Sequence, residues 1–573
     1  MKKLFYLLIL LALQNVYSQM APGVRSFFMQ GNNINTILST DGVFSYDRIT
    51  FTSSEAGLIW PVTSPTRTTA VFASGLWIGA KVANDLRLAA SIYASHYTPG
   101  NIPVPGQVPP QSVCSDSSWR GYLVQLTDPS YINGGTIIKI AGGRPYTIVY
   151  DSWASWPVDK GAPYVEVNGI PGYQPSWEGD RPGIGDGSTA RPGELSFMVY
   201  MDYTGCTNNI HSSQPSLPGG TLPLGVEIHK LTFMFNCQPL ENSYFVKYKI
   251  INKSSAQWDS AYIALVSDVD IGNAFDDATG CDTARNLAFT YNADNDDWSY
   301  GSNPPSFGTR VLQGPLLFTG NNNDTARLPY DTLIGYKIIG MTAHSSFKNS
   351  SPCFVDPDSA AEAYYFMKGL NGCGQQLTNW VTGQPTKFLF SGDACARIYW
   401  YDSLMHDVKN FISSGPLTVN SDDTQTVVYG FGVTRSGGFN TLNVCEVQSL
   451  SDSLLYHYYN DFDNCQIIGI QNISSEIPQR FDLFQNYPNP FNPTTKIRFN
   501  IPLLRGVDAE GRRGVLLIIY DALGREIETL VNEELNPGTY EIEWIASNYT
   551  SGVYFYSLTH GSFTQTKKMV VLK

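Results

Sequence analysis

The run Phe481-Asp482-Leu483-Phe484-Gln485-Asn486-Tyr487-Pro488-Asn489-Pro490-Phe491-Asn492-Pro493 decides how the C-terminal part of the chain folds. Asn-Pro steps favour turns, and the residue before each proline is pushed out of the helical region. Strict alternation follows, with Ile497, Phe499 and Ile501 on one face and Lys496, Arg498 and Asn500 on the other. That is the pattern of a half-buried strand. Val515–Tyr520 is continuously apolar and suits a strand covered on both sides, after which Asp521-Ala522-Leu523-Gly524 reverses the chain. Tyr540, Ile542 and Trp544 alternate with Glu541 and Glu543, and Gly552–Leu558 and Lys568–Leu572 supply two further strands. Short strands between turns predict a small Ig-like β-sandwich. Its expected core is Ile497, Phe499, Ile518, Tyr540, Trp544 and Phe555.

In order and spacing these pieces resemble the C-terminal sorting domain (type A) of cargo exported by the type IX secretion system of Bacteroidetes-like bacteria. The resemblance rests on Gln485–Pro493, Ile519–Gly524, Gly538–Tyr540, Ser551–Tyr556 and the basic and apolar ending Lys567–Lys573. The polar insertion Arg505–Gly514 departs from the family, which connects those strands more briefly. The resemblance implies handling by the type IX machinery and a secreted location, extracellular or on the outer-membrane surface. It implies nothing about activity.

Upstream, Met1-Lys2-Lys3 and the apolar run Leu4–Leu13 read as a secretory signal peptide over residues 1–18, cleaved before Gln19. That apolar core is too short to span a bilayer, and no later apolar run is long enough, so the mature chain is expected to lack an integral membrane segment. A formal net charge of −13 argues against a nucleic-acid partner, because neutralising phosphates requires basic patches. Abundant aromatics joined by Gly/Pro turns place the chain in the mainly β class. We expect multi-domain antiparallel β-sandwiches with few helices. The segments are an N-terminal β-rich region at 19–178, a central β-sandwich region at 179–471, a linker at 472–479 and the sorting domain at 480–573.

Within this body, Phe72–Val82 reads as an apolar hairpin that Leu86–Tyr93 continues. Leu224–Asn236, Tyr244–Ile251, Trp258–Ser267, Val311–Thr319, Thr332–Met341, Thr386–Phe390 and Thr426–Gly432 read as strands. Leu442–Asn460 is the one long helix, with Val444, Val447, Leu450, Leu454 and Tyr458 near one face. The phrases Ala73–Gly79, Lys247–Ser254, Ser267–Gly272 and Ser413–Pro416 resemble uncharacterised secreted cargo of the same bacteria and imply no activity. Of the nine cysteines, Cys206 with Cys237 and Cys353 with Cys373 are the spacings expected to pair.

The sharpest chemical signal is acidic. Asp268, Asp270, Asp276, Asp277 and Asp282 follow a predicted strand, and Asp294, Asp296 and Asp297 come soon after. Clustered carboxylates repel, and Ca²⁺ requires many oxygen ligands at flexible angles, so these five aspartates are the expected calcium ligands. The spacing does not fit an EF-hand, because Thr279 stands where the twelfth-position Glu belongs. The competing reading is a solvated turn whose aspartates cap their own backbone. Trp153, Trp156 and Trp177 lie among glycines and prolines. They form either a stacking platform for a cell-surface polysaccharide or plugs at the ends of a sandwich. No catalytic motif of the metalloprotease, nucleophile-elbow or phosphate-loop type is present. The expected function is structural, adhesive or binding. The alternative is a secreted polysaccharide- or peptide-degrading hydrolase drawing on Glu166, Glu178, Glu194 or Glu227.

Overall fold

The computed structural model describes residues 24–572 except 51–54, 111, 114–115, 204–210, 212–216, 349–351, 398–399, 403–404, 406, 437–439, 463–470, 475–477, 479, 493, 503–514, 534–537, 547–548 and 561–562. The expected signal peptide at 1–18, Cys206 and the insertion at 505–514 lie outside the described residues. The chain divides into two units, Met1–Gln466 and Ile467–Lys573.

In chain order the principal strands of the first unit are β1 (Ala73–Val82), β2 (Asp85–Ala89), β3 (Tyr122–Gln125), β4 (Glu194–Met201), β5 (Val226–Met234), β6 (Ser243–Asn252), β7 (Trp258–Asp268), β8 (Asp277–Asp282), β9 (Leu287–Asn292), β10 (Ser306–Gln313) and β11 (Ala343–Lys348). Helix α1 (Ala360–Met367), strands β12 (Val408–Val419) and β13 (Thr424–Thr434) and helix α2 (Asn440–Tyr459) complete it. A nine-stranded sheet runs β3-β4-β5-β6-β13-β10-β9-β8, with Thr98–Pro99 paired to β4, and a five-stranded sheet runs β11-β12-β7-β1-β2. Neighbouring strands are antiparallel throughout.

Tyr244, Val246, Tyr248 and Ile250 of β6 share one core with Leu76, Ile78, Leu265 and Ile412 of the smaller sheet. The outer faces are covered too. On the larger sheet, Trp153, Trp156, Leu454 and Tyr458 pack with Phe197, Phe233 and Phe245. On the smaller sheet, Ala363, Phe366 and Met367 of α1 pack with Trp77, Ala264 and Phe411. Double coverage explains why β4 is buried at every position and shows no alternation.

Strands from before residue 178 pair with strands from after it in both sheets: β1 with β7, and β3 with β4. A division at 178/179 therefore cuts through both sheets, and the body forms one unit. The expected hairpin is made by Ala73–Val82 with Asp85–Ala89, Phe72 lying outside the strand. The reversal comes at Ala83 and Asn84, whose φ values of 50° and 70° suit a tight two-residue hairpin turn. Val311–Thr319 and Thr332–Met341 are each interrupted, the first at Gly314-Pro315 and the second at Gly335. Of Thr386–Phe390 only Thr386 lies in a strand, while Phe388 makes an isolated parallel bridge to His344 of β11, whose N–H and ring nitrogen donate to the carbonyls of Lys387 and Leu389.

Helix α2 covers the expected span, with Val444, Val447, Leu454 and Tyr458 buried. Three glycines on the sheet make its seat. A Cβ on Gly308 would lie 2.4 Å from Val447, one on Gly432 2.4 Å from Leu450, and one on Gly430 3.1 Å from Leu454. Cys395–Cys445 ties the helix to a neighbouring loop, and Cys353–Cys373 forms as its spacing predicts. Helix α1 opens with a capping box, Ser359 accepting from the Glu362 N–H while the Glu362 carboxylate accepts from the Ser359 N–H.

The second unit contains β14 (Gln471–Ser474), β15 (Asp482–Leu483), β16 (Thr494–Ile501), β17 (Val515–Tyr520), β18 (Glu526–Glu533), β19 (Gly538–Ile545), β20 (Gly552–His560) and β21 (Phe563–Val571). They form two four-stranded antiparallel sheets, β14-β19-β16-β15 and β18-β17-β20-β21. Asn472–Ser474, expected as linker, is therefore strand. Residues 475–477 and 479 of that linker lie outside the described residues. Ile497, Phe499, Tyr540, Ile542 and Trp544 are buried together as the alternation predicts. Phe555 is not. It is half-buried, and Tyr554, Tyr556 and Leu558 point inward instead. The tyrosines can sit inside because their hydroxyls find acceptors, Tyr556 at the Phe484 carbonyl and Tyr554 at the Thr550 carbonyl.

Candidate functional site

The acidic segment begins at the end of β7 and continues through the turn into the β8–β9 hairpin. Asp268 lies opposite Lys409 of β12 and Ala73 of β1. The antiparallel register with β12 brings in a residue far away in sequence. Asp268, Asp270 and Asp407 each place a carboxylate oxygen within 4.8 Å of the others. The Tyr93 hydroxyl donates to Asp268 Oδ2, while Oδ1 of Asp268 and of Asp270 are buried without hydrogen-bond partners. Lys409 sits beside this group, its ammonium 2.6 Å from Asp356. Burial pushes the Asp268 carboxyl up to about 7, with Lys409 opposing the rise, and burial together with the Asp268 charge pushes Asp270 up as well.

Asp276, Asp277 and Asp282 go elsewhere. Asp277 Oδ2 accepts the Ile271 N–H at 3.0 Å, and burial raises its pKa despite that bond. Asp276 accepts from the Asn273 amide at 3.0 Å, and its carbonyl accepts the Ala293 N–H. Asp297 accepts N–H groups from Asn273, Ser299 and Tyr300. Together Asp276 and Asp297 stitch the loop before β8 to the loop after β9. Asp282 turns away: it pairs with Arg285 at 2.7 Å and accepts the Ala284 and Arg285 N–H groups at the hairpin tip. The expected five-aspartate set thus separates into Asp268 and Asp270, which Asp407 joins, Asp276 and Asp277, which bond to the loops around β8, and Asp282, which caps the hairpin. Asp407 and Tyr93 were not legible as members, since only recognition of β12 as the partner of β7 would have pointed to Asp407.

Most of the other expected site residues are engaged in structure, while Glu178 is exposed. Trp153 and Trp156 are buried, and Trp177 stacks on Trp153 at 5.6 Å, so these rings plug the sheet's outer layer. Glu194 accepts from the Gln30 N–H, Lys139 and Tyr150, and Glu227 accepts from the Ile102 N–H and contacts His229 at 2.8 Å. Glu166 differs. It is exposed and lines a cleft of about 490 Å³ between Gly161–Glu166 and Gly185–Thr189, where Asp186 is held by Lys247.

In the second unit the turn-forming run is a staple rather than a loose loop. The Asn486 amide donates to the Pro488 carbonyl at 3.1 Å and to Thr495 Oγ1 at 2.9 Å, and its N–H donates to the Tyr556 hydroxyl. Asn489 Oδ1 accepts the Val570 N–H, and the Phe491 N–H donates to the Val570 carbonyl, which locks the run onto the last strand. Residues 485–572 match the family of secretion system C-terminal sorting domains. The chain is a type IX secretion cargo protein. Its location is accordingly extracellular or at the cell surface, and the type IX machinery handles it. No helix among the described residues is long and apolar enough to cross a membrane. No curated protein matches the chain.

Proposed function

We propose that the exported body is an adhesive or binding module whose contact surface is the acidic hairpin end. The observation carrying this is a pair of displayed aromatics. Phe275 is 71% exposed and Trp298 83% exposed, on the two loops that Asp276 and Asp297 stitch together. Exposed rings on loops fixed to a rigid sheet lose little conformational freedom on binding. A cell-surface polysaccharide is the partner class such rings suit, by stacking on sugar faces. Co-sedimentation of the purified secreted protein with surface polysaccharide tests this. Trp298→Ala and Phe275→Ala together should weaken binding about tenfold, at roughly 0.5–1.5 kcal/mol per ring. Unchanged binding in the double variant removes the reading.

The second reading, a polysaccharide- or peptide-degrading hydrolase, draws support from the exposed Glu166 in its cleft with Asp186. Release of reducing ends or peptides by the wild type, abolished by Glu166→Gln, would favour it over adhesion.

A further inference from the structure

We propose that Asp268, Asp270 and Asp407 hold a hard divalent cation, Ca²⁺ in the extracellular setting, where the end of β7 lies beside the start of β12. This site is independent of the aromatic surface above and narrower than the acidic sequence pattern. Three carboxylate oxygens from two distant segments converge within 4.8 Å of one another. A separate observation points to a ligand. Asp268 is only 5% exposed, yet its Oδ1 has no hydrogen-bond partner, and the buried Oδ1 of Asp270 has none either. Buried carboxylate oxygens are ordinarily satisfied, so oxygens left without donors beside other carboxylates mark a place for a cation.

Lys409 faces Asp268, Asp356 and Asp407 at once, and its ammonium is 2.6 Å from Asp356. The donor set is all oxygen, with no thiolate or imidazole in the group, which favours Ca²⁺ or Mg²⁺ over zinc. Asp270 and Asp407 are partly exposed, leaving room for waters to complete the six to eight oxygens that Ca²⁺ takes. Tyr93 fixes the rotamer of Asp268 by donating to its other oxygen, so the lone Oδ1 remains available.

The test uses the purified full secreted chain, with Ca²⁺ and Tb³⁺ as probes. Millimolar Ca²⁺ should raise the melting temperature of the body, and chelator should lower it. Asp270→Asn and Asp407→Asn should weaken calcium binding at least tenfold by calorimetry, while Asp282→Asn, at the Arg285-paired hairpin tip, should bind like wild type. Tb³⁺ bound to wild type should luminesce under tyrosine excitation and be displaced by Ca²⁺. That readout stands even where an Asn variant fails to fold. The proposal is overturned if wild type shows neither calorimetric binding nor displaceable Tb³⁺ at millimolar calcium. It is equally overturned if the Asp270→Asn/Asp407→Asn double variant binds calcium as wild type does.

Discussion

Lys230 of β5 carries an amine into the core between the two sheets. It is 0% exposed, its Nζ has no hydrogen-bond partner, and it lies 3.9 Å from the Phe44 ring centroid. Burial lowers its pKa to about 7, with the Asp41 charge opposing the fall. In the unfolded chain the same amine keeps a pKa of about 10.4. Between those two values the unfolded state binds the proton and the folded state does not, so stability rises with pH across that window. Below about 7 both states are protonated and the dependence ends. Lys230→Met should therefore stabilise the body at pH 7 by about 2–4 kcal/mol, and the gain should shrink toward pH 10. Urea unfolding of both proteins at several pH values checks this, and a gain that is absent or independent of pH would refute it. A second residue-scale expectation concerns the sorting domain. Tyr556 is buried with its hydroxyl bonded and Phe555 is half-buried. Tyr556→Ala should cost about 3–5 kcal/mol and Phe555→Ala clearly less. A strand pattern locates the two faces, but choosing the inner one by apolarity favoured Phe555. The acceptor at the Phe484 carbonyl that lets Tyr556 go inside is invisible until the fold is known.

Among the elements, α2 depends on three glycines that leave a groove in the larger sheet. Gly432→Ala would put a Cβ 2.4 Å from Leu450, and this overpacking should cost about 1–3 kcal/mol. Leu450→Ala in the same chain should recover part of that loss, a coupling that a double-mutant cycle on thermal melts would measure. Purely additive losses would mean the helix does not sit on Gly432. The helix was legible because its apolar positions recur at helical spacing over many turns. Helix α1 was not, being eight residues long with a mean pattern too short to read; its capping box was the only local signal. Strand β12 was missed for another reason. It is buried on nearly every position, so it lacks the alternation that marks a half-exposed strand. Missing β12 hid Asp407, and with it the actual company of Asp268 and Asp270. The individual aspartates were legible as a cluster, but which of them meet is fixed by strand pairing over long sequence distances.

For the whole molecule, the chain splits into a body and a C-terminal sandwich that each possess their own core. The sandwich was readable almost strand by strand, because its strands are short, alternate cleanly and follow one another through turns. The body was harder to read, since its two sheets interleave segments from both ends, as when β1 pairs with β7 and β6 with β13. The account's central claim is that the export address lies in the C-terminal unit and the body only travels with it. Deleting residues 467–573, and fractionating a type IX-competent host that expresses the full and truncated chains, tests that claim most directly. Blots should find the full chain at the cell surface or in the medium and the truncated chain held in the periplasm. Truncated protein outside the cell at the level of the full chain would contradict the account.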